Sequence, residues 1–290
     1  MKIFTTIVLT KGKMLNLGSE EIKKAISFIK SLEKSTNVIL ILQGEFTDKD
    51  SALFENLKIK IIKNEKNLGY AGGHNLGIKY AINNGADYIL IANHDLKLQN
   101  DFLKNMLKPF SDVKMGIVGP RIYDENGRIW ALGGNVNKFR FSADLICYGE
   151  KDKNINEKYL VPDFISGTIL LVSKDVFIRL GLLKEDYFIY YEDVDFSLRA
   201  KKAGFKIVIN PSAKAVHFAS SAVGKNSPLQ VYYMARNHLL FLERFAPLSI
   251  KIRELIRIPK TIYEAKSKKF ELMGIRDYFF RRFGKNENWG

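Results

Sequence analysis

The sequence holds a single cysteine, Cys147, among its 290 residues. One thiol excludes an internal disulfide and any zinc site built from several cysteines; nothing around Cys147 marks a nucleophile, so it reads as packing. No apolar run reaches the roughly 18 to 20 residues that a bilayer-spanning helix requires. The opening MKIFTTIVLTKGK reads as a strand and not as a leader, so a cytoplasmic chain is expected. Acidic residues are in deficit: 31 Asp and Glu stand against 46 Lys and Arg, a net charge of +15 that favours anionic partners without choosing among them. Neither G-x-G-x-x-G nor G-x-x-x-x-G-K-[ST] occurs, which removes support for the two common nucleotide folds. What is present is a 46% hydrophobic composition, enough to bury a large core and to exclude disorder.

The first half alternates β-branched runs with amphipathic segments, the pattern of an α/β chain with a mostly parallel central sheet flanked by helices. Strands are expected at FTTIVLT, NVILIL, LKIKIIK and DYILIAN. A helix starts at Ser19, with Ile22, Ala25, Ile26, Ile29 and Leu32 at helical spacing, and a second runs from Gly72 to Asn84. RIYDENGRIW signals a hairpin turning at Asn126-Gly127, followed by a loop-rich insertion. DFISGTILLVS is a strand, KDVFIRLG a short helix, and a helix from Glu192 to Ala203 stops at Gly204. After FKIVINPSAKAVHF, helices are expected from Pro228 to Phe245 and from Ser249 onward. No internal repeat or clear linker appears. One domain over 1–245 with a helical extension over 246–290 is the economical division.

Three segments carry chemistry-bearing residues. Gly69, Gly72, Gly73 and Gly77 surround a strand-to-helix passage, where backbone amides approach a phosphate or where glycines merely ease packing. Asn93, His94 and Asp95 end an apolar strand; ligands in open α/β sheets sit beyond such ends, and these side chains suit a divalent metal as well as they suit a strand terminus. His217 follows another strand, with Asp95 its candidate partner. In YFIYYEDVDFSLRAKKAGF, Glu192, Asp193 and Asp195 open a basic helix. Acids in a first turn complement the helix dipole, and Asp195 stands four residues before Arg199. Asp193 is turned about 100° from Glu192, so one acid can point into a cleft while its neighbours hold the structure.

The ordered set NLGYAGGHNLGI, NHD, SGTILLVSKDVF, YFIYYEDVDFSLRAKKAGF, PSAKAVHFASSAVG and YYMARNHLLF resembles the family 2 glycosyltransferases of the GT-A fold, in particular their rhamnosyltransferase-like branch, over roughly residues 4 to 245. The resemblance implies that Asp193 is the catalytic base of an inverting transfer from a nucleotide sugar, and that Asp95 and His217 hold Mn2+ or Mg2+. It also implies nucleotide-sugar contacts at Thr10, Gln43, Asn67, Gly69, Gly72, Gly73, Asn75, Asn93 and His94. Weaker candidates for the sugar or acceptor side are Trp130, Gly167, Glu192 and Arg236, with Tyr190, Tyr191 and Tyr232. The sequence departs from the family where Leu42-Gln43-Gly44 replaces a Val-Asp-Asn-like segment, and where Asn93-His94-Asp95 lacks the first acid of an Asp-x-Asp pattern.

From Arg244 to Gly290 the chain has twelve Lys and Arg against five Asp and Glu, interleaved with Ile, Leu, Tyr and Phe. Such a segment fits an interfacial helix on anionic lipid, and equally a solvated helix packed on the domain. The implied partners are a nucleotide-diphosphate sugar and a polysaccharide or lipid-linked glycan, on the cytoplasmic face of the membrane, with no nucleic acid expected. Other readings are a sugar nucleotidyltransferase, a catalytically degenerate homologue and a basic nucleic-acid-binding protein.

Overall fold

The computed structural model describes residues 1–12, 17–152, 155, 157–218, 227–264 and 269–287, with the backbone alone over 260–264. The alternating first half forms β1 (Ile3–Lys11), α1 (Ser19–Leu32), β2 (Asn37–Gly44), α2 (Asp48–Ala52), β3 (Lys60–Asn64), α3 (Gly69–Asn83) and β4 (Tyr88–Ala92). Each of β2, β3 and β4 joins its neighbour in parallel, giving the order β3-β2-β1-β4. β5 (Leu96–Leu98), α4 (Phe102–Leu107), β6 (Met115–Tyr123) and β7 (Ile129–Ala131) follow. Then come β8 (Gly134–Val136) and β9 (Ala143–Leu145), a separate two-stranded pair within the loop-rich insertion. β10 (Ile169–Ser173), α5 (Lys174–Leu180), α6 (Glu192–Lys202) and β11 (Lys206–His217) complete a nine-stranded sheet, extended as β4-β10-β6-β11-β5 with β7 on β6. The sheet is mixed: its longest ladders are parallel, while β10, β5 and β7 pair antiparallel. α7 (Pro228–Phe245), α8 (Leu248–Glu264) and α9 (Lys269–Phe279) close the chain.

Period-two alternation divides the core between the two sheet faces. Ile7, Leu9, Leu40, Leu42 and Leu90 face α1 and α4, through Phe28, Ile29 and Met106. Ile39, Ile41, Ile89 and Ile91 face α3, α5 and α6, through Ile78, Phe177 and Phe196. The result is a three-layer sandwich whose parallel strands all end on one side, where β4 and β11 present polar residues.

Some boundaries differ from expectation. α3 begins at Gly69 and not Gly72, because Gly69 takes a left-handed φ of 71° beneath Phe188 and turns the chain directly into the helix. β3 begins at Lys60. Only Ile169–Ser173 of DFISGTILLVS is strand: Ser166 Oγ bonds Thr168 Oγ1 and accepts its amide, forming a local turn around Gly167. The hairpin forms as expected, with Gly127 at φ 73° and Asp124 accepting the amides of Asn126 and Arg128.

Candidate active site

β4 delivers Asn93, His94 and Asp95 at its end, and the antiparallel pairing of β5 with β11 sets His217 opposite Leu96, beside Asp95. Asp95 Oδ1 lies 3.2 Å from His217 Nε2, with both side chains buried. Asn93 Nδ2 stands 3.5 Å from the same nitrogen. Burial would raise the Asp95 carboxyl, but its hydrogen bond with His217 and the nearby imidazoles hold it below the usual carboxylate range. His94 points to α1, where its Nε2 meets Glu21 Oε2 at 3.1 Å. That hydrogen bond lowers the Glu21 carboxyl against the opposing effect of burial, with help from Lys24. Ligand atoms of Glu21, His94 and Asp95 all lie within 4.8 Å of one another. Trp130 stands edge-on to the His217 ring, with centroids 4.7 Å apart.

The donor set suits a hard divalent cation, since it offers carboxylate oxygen and imidazole nitrogen and no thiolate. The 3.2 Å between Asp95 Oδ1 and His217 Nε2 is close to the roughly 3 Å that separates adjacent ligands placed about 2.1 Å from one octahedral ion. His217 Nδ1 is buried with no hydrogen-bond partner among the described residues. Glu21 was missed in the sequence because a first-turn acid already has a reason to exist; only the fold brings it to His94.

The three carboxylates of α6 differ sharply in environment. Asp195 is 1% exposed and bonded to Arg199 Nε at 2.5 Å and the Tyr187 hydroxyl at 3.1 Å, so it holds structure. Glu192 is also buried, and its Oε2 has no hydrogen-bond partner among the described residues. Burial, reinforced by the Asp193 charge, pushes its carboxyl well above the usual range. Asp193 alone keeps partial access to solvent. Burial raises it too, opposed by the amides of Gly167, which donates to Oδ2 at 2.7 Å, and Val194, which donates to Oδ1 at 2.8 Å.

Gly167 joins the two halves of the site. Its amide holds Asp193, and the next carbonyl, Thr168, accepts the Asn93 amide at 2.9 Å. Asp193 is therefore linked through one short turn to the segment that carries Asp95, beside which His217 of β11 lies.

Several expected contacts are turned inward instead. Gln43 donates to Thr10 Oγ1 at 2.7 Å and to the Gly69 carbonyl at 3.0 Å, and its Oε1 accepts the Leu68 amide at 3.1 Å. It fastens the glycine turn to the ends of β1 and β2 and leaves little hydrogen-bonding capacity for a ligand. Asn67 accepts the Gly69 amide, and the Ala71 amide donates to the Phe188 carbonyl. These amides at the start of α3 are thus committed to the protein. A Cβ at Gly73 would approach Val8 to 2.9 Å, so this glycine serves close packing of helix on sheet. Gly72 likewise lies against Leu68, and Gly77 against Thr6. Asn75, buried, exchanges hydrogen bonds with the Leu183 backbone and reaches Glu185. Arg236 is fully buried and donates to backbone carbonyls, which removes it from direct sugar contact. Tyr232 is buried against Asp277, and Tyr190 and Tyr191 lie in the turn before α6. Residues 219–224 of the PSAKAVHFASSAVG segment lie outside the described residues.

A cavity of about 530 Å³ lies elsewhere, lined by Lys108, Arg121, Lys158, Asn210 and Lys214 among others. None of the acids above contributes to its wall, so the chemistry and this cavity are separate features.

The mixed sheet flanked by helices has the GT-A fold, with an acid of the first turn of α6 tied through Gly167 to the strand-end segment that carries Asp95. The glycosyl transferase family 2 model matches residues 11–181, more than half of the chain, and the protein belongs to that family. It is 28% identical to the dTDP-rhamnosyl transferase RfbF of Shigella flexneri, over 88% of this chain and 84% of that one. It is 23% identical to the N-acetylglucosaminyl-diphospho-decaprenol L-rhamnosyltransferase of Mycobacterium tuberculosis, over 83% and 89%. Among solved structures, GalNAc-T7 with UDP, GalNAc and Mn2+ matches in fold at a TM-score of 0.61 and 14% identity, over 83% of this chain and 47% of that one.

Proposed function

We propose that the protein is a metal-dependent inverting glycosyltransferase that moves rhamnose or another hexose from a nucleoside-diphosphate sugar to a glycan hydroxyl. The observation that carries this reading is the contrast within α6: Glu192 and Asp195 are buried, while Asp193 alone retains solvent access beside Gly167. The acceptor oxygen forms its bond to the anomeric carbon as the bond to diphosphate breaks on the opposite face. Asp193 takes the acceptor proton on a lone pair that Gly167 and Val194 leave open. Its raised affinity for protons makes it a stronger base once ionised. Asp95 and His217, with Asn93, His94 and Glu21 beside them, would hold the divalent cation, Mn2+ or Mg2+, whose chemistry when bound is to neutralise charge on the departing diphosphate. Trp130, against His217, is suited to stack on a sugar face. The rhamnosyltransferase names of two relatives support the sugar, and the decaprenol-linked acceptor of one supports a lipid-linked oligosaccharide.

Peripheral attachment to an anionic membrane surface belongs to the same reading. No helix among the described residues is long and apolar enough to cross a membrane. α8 packs inward through Ile250, Glu254 and Ile258, yet Leu248, Ile252, Leu255 and Ile256 form a second apolar stripe that is 50% or more exposed. Lys251 flanks that stripe on one side, and on the other Arg253 stacks on the exposed Phe139 ring at 4.4 Å, an arrangement compatible with a helix lying at a lipid interface. On this reading residues 1–245 perform transfer and 246–290 bring them to the acceptor.

A panel of nucleotide sugars assayed with Mn2+ and with Mg2+ tests the proposal. Release of nucleoside diphosphate with transfer of the sugar is expected. Release of pyrophosphate would assign nucleotidyl transfer instead. Salt-sensitive nucleic-acid binding without turnover of any sugar nucleotide would overturn the enzyme reading.

A further inference from the structure

The turn that precedes α6 follows an unusual path. Phe188, Tyr190 and Tyr191 take left-handed φ angles of 65°, 68° and 75°, a region that side chains other than glycine rarely occupy. Glu192 and Asp193 follow at once, so the orientation of the first turn of α6 is set by these three residues. Such a path persists only where its surroundings over-determine it.

The surroundings are two adjacent residues of α7, both fully buried. Arg236 Nη2 donates to the carbonyls of Asp186 at 3.1 Å and Tyr187 at 3.0 Å, while Nη1 donates to Gly284 at 2.7 Å. Asn237 Nδ2 reaches the carbonyls of Tyr187 at 2.8 Å, Ile189 at 2.8 Å and Tyr190 at 2.9 Å, and its Oδ1 accepts Arg236 Nε at 3.0 Å. Inside the fold each of these carbonyls needs a donor. The turn's own backbone reaches Tyr187, through the Ile189 amide at 2.8 Å, and the Gly284 amide reaches Asp186 at 2.8 Å; for Ile189 and Tyr190 the donor is Asn237. Arg236 and Asn237 supply donors in a fixed fork and amide geometry. Phe188 also accepts the Ala71 amide of α3, and the Tyr187 hydroxyl donates to Asp195, so the turn is held at both ends.

We propose that Arg236 and Asn237 are positioning residues that hold residues 186–191 in this path and thereby aim the Asp193 carboxylate at the acceptor. The inference rests on the reading of Asp193 as the base. Neither side chain touches substrate. If the donors are withdrawn, the left-handed residues relax toward ordinary backbone, α6 turns at its start, and Asp193 leaves the amide of Gly167. Misplacement of a reacting group by about 1 Å is enough to slow turnover by about a hundredfold.

Asn237→Ala and Arg236→Lys, each in the full chain, test the clamp. The readouts are melting temperature with near-ultraviolet circular dichroism, kcat and donor KM, and the acid limb of the kcat profile. Expected for a folded variant is a donor KM within about twofold of wild type, with kcat lowered at least about tenfold in Asn237→Ala and at least about threefold in Arg236→Lys, whose ammonium keeps part of the donation. The acid limb moves toward the ordinary carboxylate range as Asp193 gains water. A purely structural role would lower melting temperature and leave kcat and the acid limb of the folded enzyme alone. That result overturns the clamp, as does failure of both variants to fold. A wild type inactive with every sugar nucleotide removes the reading of Asp193 and the inference with it; an active wild type with unaffected variants removes the inference alone.

Discussion

The Gly167 amide donates to Asp193 Oδ2 at 2.7 Å, while the Gly167 carbonyl accepts the Tyr70 hydroxyl. The backbone of one residue thus ties Asp193 of α6 to Tyr70 in the first turn of α3. A side chain at Gly167 would meet the Tyr70 hydroxyl at 3.0 Å, which keeps this position small.

From that placement, Asp193→Asn is expected to fold normally and bind donor, yet lose at least about a hundredfold in kcat. The amide oxygen can keep one of the two backbone hydrogen bonds, that of Gly167 when it takes the place of Oδ2, while the NH2 in place of Oδ1 cannot accept from Val194 and offers no basic lone pair for the acceptor proton. In the wild type, kcat should fall as pH drops through a pKa above the ordinary value of about 3.9 for aspartate, because burial raises Asp193. Steady-state kinetics across pH 4 to 9 checks both. Near-normal turnover by the folded variant, or an acid limb at or below pH 4, counts against the role.

Glu192→Gln addresses stability. Burial and the Asp193 charge raise the folded-state pKa of Glu192 above its unfolded value, so the folded state binds the proton more tightly. The associated stability is fully present below the unfolded pKa of about 4.3 and is lost as pH rises through the folded pKa. Glutamine does not titrate. The melting temperature of the variant relative to wild type should therefore rise as pH increases from 4.5 and level off once the folded pKa is passed, by at least about 2 °C in all. Parallel thermal melts at four or five pH values suffice, and a constant difference would show that Glu192 does not feel its surroundings in this way.

Much of the fold was legible because it follows from period. The alternation of Ile39, Leu40, Ile41 and Leu42 between the two sheet faces, and the Ala25, Phe28, Ile29, Leu32 stripe of α1, are local patterns with one physical solution. The family motifs placed Asp95 beside His217 although 122 residues separate them. What stayed hidden depends on contacts that no local pattern encodes. Gln43 and Asn75 look like ligand contacts by type, and only the structure shows their polar atoms taken by Thr10, Gly69 and Leu183. Glu21 is by pattern an acid in the first turn of α1, and only the fold brings it to His94. The left-handed turn at Phe188, Tyr190 and Tyr191 has no sequence signal, since aromatics rarely adopt it.

Metal dependence should separate Asp95 from Glu21. Asp95→Asn, and His217→Ala with it, is expected to abolish Mn2+ binding measured by electron paramagnetic resonance and to lower turnover at least about a hundredfold. Glu21→Gln removes a carboxylate that hydrogen-bonds His94, and should weaken Mn2+ about 10- to 100-fold, as loss of an outer-shell partner does. Unchanged Mn2+ affinity in Asp95→Asn would place the cation elsewhere.

The outer face of α8 makes the last test. Leu255 and Ile256 are exposed and their removal should leave the core intact, because Ile250 and Ile258 face the other way. Leu255→Ser with Ile256→Ser is therefore expected to retain sugar-nucleotide turnover while losing at least about tenfold in sedimentation with vesicles of phosphatidylcholine and phosphatidylglycerol. Wild-type binding should weaken between 50 and 300 mM salt, as the screening length shortens over Lys251 and the other basic residues of this segment. Ile178→Ser, also a change at an exposed apolar side chain but on α5, serves as the control and should bind vesicles as wild type does. Equal binding to neutral and anionic vesicles would remove the electrostatic part of the attachment, and a monomeric double variant beside a dimeric wild type would show that a second copy covers the stripe in place of lipid.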